Sequence, residues 1–128
     1  MNSAVCLLER AAKLFADRPA VEDEVESLNY TEYRAVSRKI ATAMLQAGSA
    51  RKPIIMYLPK SVEMLCCFMG AMYAGSPYAP VDSHIPMNRL EKIAESLQPG
   101  LIVTNAELAK NLEKQDRELR AVRRRKKR

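Results

Sequence analysis

Glycine is scarce in this chain of 128 residues: there are four, at positions 48, 70, 75 and 100. The closest pair, in "GAMYAG", lies inside an apolar helical stretch with no Gly-Lys after it, so neither common phosphate-cradling loop is present. Cysteine is as sparse. Cys6, Cys66 and Cys67 give an odd count with no CxxC spacing, which suggests neither a disulfide framework nor a zinc site. The longest apolar run, residues 64–74, falls well short of the roughly 20 residues of a membrane-spanning helix. At the start, Glu9, Arg10 and Lys13 interrupt the place where a secretion signal needs an unbroken apolar centre. A soluble, reducing, cytoplasmic setting is the expectation these absences leave.

What is present suits one modest domain with its own core: 48% of the residues are hydrophobic. The net charge of +6 is unevenly distributed. Residues 117–128 hold eight Lys or Arg and one Glu, a net of +7, which leaves residues 1–116 at −1. The expectation is therefore a folded unit over residues 1–116 and a disordered basic tail over 117–128. Such a tail is able to displace counterions from a polyanion, so nucleic acid is one partner to weigh.

Periodicity predicts a helix over residues 3–16, from Val5, Leu8, Ala12 and Phe15, and then two short strands around an acidic turn in "AVEDEVESLNY". Thr31 stands where a helix N-cap is expected, ahead of a stripe of Tyr33, Val36, Ile40, Ala43 and Met44 that closes at Gly48. "IIMYL" after Pro53 reads as a strand buried on both faces. A helix from Ser61 to Gly75 follows, then a strand over residues 78–81, a helix beginning near Pro86, and a strand over residues 101–104. Strand and helix alternate, so the expected class is α/β, parallel strands with helices on the faces. The Ser61 helix is apolar around its whole circumference, and a sheet of about three strands cannot easily surround it. Part of it, at Met64, Phe68 and Met72, is expected to lie bare unless further chain covers it.

Three stretches carry a resemblance. "SLNYTEY" at residues 27–33 resembles the first core motif of adenylate-forming (AMP-binding) ligases, and "MYAGSPYAPVD" at residues 72–82 resembles the second. "IPMNRLEKIAESLQPGLIVTN" is similar to the segment that follows, with Pro86, Arg89 and Leu90 in matching places. Tyr78 with Val81 and Asp82 is more similar to the amino-acid-activating branch, D-alanine carrier-protein ligases and nonribosomal peptide synthetase adenylation domains. One departure is "AGSARKP", which stands where the family has a Gly-Val-x-x-Gly-Asp link. The resemblance implies a partial N-terminal subdomain of the adenylate-forming enzyme fold. It implies a ligase that uses ATP and Mg, when complete, to activate an amino acid or related carboxylate as an acyl-adenylate and pass it to a carrier thiol. The family's phosphate loop, adenine-binding segment and catalytic lysine have no counterpart here, so a truncated chain, inactive alone, is expected. Its partners would be the missing remainder of such an enzyme or a carrier protein. Two alternatives stay open: a subunit of a split enzyme, and a small α/β binding protein using the basic tail for nucleic acid.

No residue is assigned as catalytic, cofactor-binding or metal-binding. Asp82, Ser83 and His84 invite a catalytic reading, but consecutive residues in an extended segment point to alternating faces and do not assemble a relay. Asp82 and His84 remain candidates to touch a ligand, because they leave the carboxyl end of a parallel strand. Lys60 reads as a solvated charge, Cys66 and Cys67 as buried inert thiols, and Tyr30, Tyr57, Tyr73 and Tyr78 as core aromatics on different elements.

Overall fold

The four consecutive apolar residues of "IIMY" form the middle of the molecule, as a strand with no exposed face must. The structure, a computed structural model, describes residues 3–49 and 51–114. Their elements run α1 (Ser3–Leu14), β1 (Pro19–Glu22), β2 (Ser27–Asn29), α2 (Tyr30–Gln46), β3 (Ile54–Tyr57), α3 (Val62–Ala74), β4 (Tyr78–Val81), α4 (Met87–Leu97) and β5 (Leu101–Thr104). Residues 106–114 are helical too. The expected boundary after residue 116 and the basic residues 117–128 lie outside the described residues.

β3 is central in a parallel sheet ordered β4-β3-β5, with Ile54 beside both Tyr78 and Leu101. Its side chains alternate between two cores. Ile54, Met56 and, just beyond the strand, Leu58 pack with Met44, Met64, Cys67 and Ala71 from α2 and α3. Ile55 and Tyr57 pack with Val81, Leu90 and, from residues 106–114, Leu108 and Leu112. Helices therefore cover both faces, as the α/β reading requires. Pro80, which has no N–H to donate, sits in β4 at an edge of this sheet, where the loss is tolerated.

β1 and β2 pair antiparallel, with a register shift between Pro19 and Val21. The acidic turn that joins them is held by Asp23: one carboxylate oxygen accepts from the Val25 and Glu26 N–H groups at 2.7 and 2.8 Å. The other oxygen accepts from Val62 N–H at 2.8 Å, at the start of α3, so a turn residue also satisfies a helix end. These three backbone donors, that of Val62 first, hold the Asp23 carboxyl below the ordinary range.

The start of α2 corrects the expectation at Thr31. Asn29 is the N-cap: its side chain accepts from Glu32 N–H at 2.8 Å while the Glu32 carboxylate accepts from Asn29 N–H at 2.9 Å. This reciprocal pair satisfies two donors where a lone threonine satisfies one. The buried stripe also shifts, to Ser37, Ala41 and Met44, while Ala43 is exposed. Small residues lie there because α2 and α3 approach closely at Gly70, where an added Cβ would stand 2.8 Å from Ile40 Cγ2 and 3.1 Å from the Ser37 carbonyl oxygen. α3 begins at the N-cap Ser61 and ends at Gly75, whose φ of 72° favours glycine.

The circumference of α3 is better covered than its composition suggests. Met64 is only 7% exposed, against β3 and α2, and Met69 is buried against Val5 and Leu8 of α1. Met72 is half-buried in that same third cluster. Two helices and the sheet thus share the task the sheet alone was asked to perform. Phe68, also expected bare, is half-buried against the first core and stacks on Tyr78 of the β4 edge at 4.9 Å between ring centres; the apolar residue left over is Leu65, 39% exposed.

Candidate functional site

In a parallel sheet the loops that follow the strands gather at the carboxyl ends, where ligands commonly bind. At that edge β3 leads into Leu58, Pro59 and Lys60, and β4 into Asp82, Ser83 and His84. Between them lies an open depression of about 370 Å³, lined by Leu58, Lys60, Met64, Pro80, Asp82 and His84 among others. A second one, of about 530 Å³ and mostly apolar, shares Lys60, Met64 and Pro80 and extends past Leu65 and Phe68 to Glu22 and Asp23. Together they form a shallow channel over the first turns of α3.

The geometry of the Asp82–His84 turn is local. Asp82 Oδ1 accepts the His84 backbone N–H at 2.8 Å and stands 3.4 Å from ring Nδ1. Ser83 Oγ lies 3.4 Å from the same Nδ1. A nucleophile relay needs the carboxylate on one imidazole nitrogen and the hydroxyl on the other, so this arrangement is not one. The His84 side chain is 93% exposed and that of Asp82 76%, which leaves both in water's dielectric. The His84 backbone N–H, then the His84 ring and the charges of His84 and Lys60, hold the Asp82 carboxyl below its usual range.

The remaining candidates sort by burial. Cys66 and Cys67 are buried, and burial pushes each thiol up to about 11, so both stay protonated near neutrality and neither is a nucleophile. Tyr57 is core; Tyr30 and Tyr73 pack around Val5 and Leu8. The periodicity did not reveal a polar knot among the first three helices. Arg34 Nε donates to both oxygens of Glu9 at 2.9 and 2.8 Å, and Tyr73 OH donates to Glu9 Oε1 at 2.6 Å. The Tyr73 hydrogen bond, and then Arg34, hold the Glu9 carboxyl low against the opposing cost of burial. Burial and the Glu9 charge push the Tyr73 phenol up to about 12. This knot ties α1 to α2 and α3 and has no reacting atom in it. The only sequence signal was Glu9 beside the apolar stripe of α1, which does not name its partners.

None of the four glycines lies in a phosphate-cradling loop. Gly48 and Gly75 end helices with φ of 87° and 72°, Gly70 is wedged against α2, and Gly100 lies on the Lys52 side chain. Nor is there, among the described residues, a group of three His, Cys, Asp or Glu side chains placed to hold a metal ion. No helix among them is long and apolar enough to cross a membrane.

The model of the AMP-binding enzyme family matches residues 8–127. The chain belongs to that family. The chain is 34% identical over 96 residues to syringomycin synthase SyrB1 of Pseudomonas syringae pv. syringae, covering 74% of itself and 16% of that protein. It is 33% identical over 113 residues to the D-alanine–D-alanyl carrier protein ligase of Listeria welshimeri, covering 87% of itself and 22% of the ligase. Among solved structures, the complex of VinN with L-aspartate superposes with a TM-score of 0.81 at 22% identity, over 88% of this chain and 30% of that one. At that identity the superposition shows a shared fold: the α/β reading and the parallel three-stranded sheet hold. The chain thus spans about a fifth or less of the length of these curated relatives. The family match takes in much of the basic segment as well, through residue 127.

Proposed function

We propose that this chain supplies the N-terminal scaffold of a ligase that activates an amino acid, or a related carboxylate, as an acyl-adenylate for transfer to a carrier thiol, and that it does not turn over ATP alone. One observation carries the substrate class: 113 residues of this chain align at 33% identity with a ligase whose name states D-alanine and a D-alanyl carrier protein. The role of scaffold fits the geometry. Adenylyl transfer depends on charge-compensating groups fixed around the phosphates, and none of the four glycines lies in a phosphate-cradling loop. Leu65, Phe68 and the β4 edge form one continuous apolar margin suited to packing against the rest of such an enzyme.

The test is a chimera in which the chain replaces the aligned portion of a D-alanyl carrier protein ligase. D-alanine-dependent exchange of pyrophosphate into ATP is expected to persist. A chimera that folds cooperatively yet shows no exchange with any amino acid or small carboxylate overturns the reading.

A further inference from the structure

Beyond the channel over α3, the same sheet edge holds a second groove of about 490 Å³, which meets the channel at Leu58. Its floor is apolar, from Leu28, Val36, Ile40 and Val103, and its rim carries two carboxylates, Glu26 of the β1–β2 hairpin and Glu63 of the first turn of α3. No Lys, Arg or His lines it among the described residues. Thr104 Oγ1, where β5 meets the groove, is buried without a hydrogen-bond partner. The negative character reaches inward: Glu26 and Glu63 add to burial in raising the Cys66 thiol. An apolar floor with an uncompensated acidic rim fits long cationic side chains, whose aliphatic stems bury while their heads pair at the edge.

The chain carries such side chains close by. Helical residues 106–114 begin at this groove, since Ala106 lines it, and rise about 13 Å over nine residues. Residues 115–128 follow, fourteen in number, and reach up to about 45 Å when extended. A return along the helix and around β5 takes about six residues at about 3.3 Å each. That leaves the cluster at residues 121–128 within reach, at a tethered concentration of order mM.

We propose that the groove between Glu26 and Glu63 is the docking site of residues 121–128 of the chain's own basic segment. The segment's net +7 faces a unit of net −1, and docking places guanidinium groups on the two carboxylates and their stems on the apolar floor. The inference does not depend on the proposed enzymatic role.

Hydrogen exchange of the intact chain, read by mass spectrometry, tests it. Amides of residues 121–128 are expected to exchange about tenfold slower in low salt than in about 0.5 M NaCl. The double variant E26Q/E63Q is expected to abolish that protection in low salt with circular dichroism unchanged, both side chains being exposed. Exchange that is equally fast in both proteins overturns the proposal. Protection that persists in E26Q/E63Q places the segment elsewhere, and protection that grows with protein concentration makes the occupant a second copy; either result also overturns it.

Discussion

Replacing Gly70 with alanine tests the contact that sets the depth of the larger core. An alanine Cβ at this position would meet Ile40 Cγ2 at 2.8 Å, the Ile40 Cβ at 3.2 Å and the Ser37 carbonyl oxygen at 3.1 Å. Two of these neighbours belong to a side chain, but the carbonyl belongs to the α2 backbone and yields only if the helix moves. Inside a helix, Gly→Ala ordinarily stabilises by about 1 kcal/mol. Overpacking a well-filled contact costs about 1–3 kcal/mol. The two terms oppose each other, and G70A is expected to be destabilised by up to about 2 kcal/mol. In an I40A background the Cγ2 clash is absent, so the same substitution is expected to cost about 1 kcal/mol less. Urea unfolding of the four proteins measures this as shifts in midpoint at constant slope. A midpoint for G70A that rises by the full propensity gain would refute the close approach of α2 and α3.

Other outcomes follow from the same packing. Glu9→Gln is expected to destabilise by about 1 kcal/mol or less at neutral pH, because the Arg34 pair is about one-third exposed and screened. Glu9 has a lowered folded pKa, so its stabilisation is present above the unfolded value of about 4.3 and is lost as pH falls through the folded one. The gap between wild type and variant should therefore close in acid; a gap independent of pH contradicts the ionised clamp. Alkylation near neutral pH is expected at exposed Cys6 and not at Cys66 or Cys67, with peptide mapping as the readout; equal labelling of all three contradicts their burial. Leu65→Glu is expected to lower the binding of a hydrophobic dye without lowering the unfolding midpoint, since Leu65 is 39% exposed. An unchanged dye signal would place the sticky surface elsewhere.

Much of the scaffold was legible because it is written in local signals. The apolar run of β3 states that both faces are covered, and Gly48 and Gly75 mark helix ends by the positive φ they adopt. Thr31 and Asn29 are each good caps alone, and the Glu32 carboxylate, three residues past Asn29, decides for Asn29. The seam of Ser37, Ala41 and Gly70 escaped a search for large apolar residues, since close helix contact is made by small ones. Helical residues 106–114 had a readable start, Asn105 Oδ1 accepting from Leu108 N–H at 2.8 Å, with Leu108 and Leu112 one turn apart. Met64 was expected bare because composition tells how much of a helix is apolar and not how many neighbours it has. The Glu9, Arg34 and Tyr73 knot joins residues up to 64 positions apart, a distance no periodicity reports. At the carboxyl edge the order Asp82, Ser83, His84 was plain, while the placement of both partners on one imidazole nitrogen needed coordinates.

Amino-acid-dependent exchange of labelled pyrophosphate into ATP by the purified chain tests most directly the central proposal, that this chain is a scaffold that does not turn over ATP alone. The account predicts exchange no greater than that of a protein-free blank with every amino acid tried, D-alanine included. Exchange clearly above the blank, dependent on an amino acid and proportional to protein concentration, would contradict it.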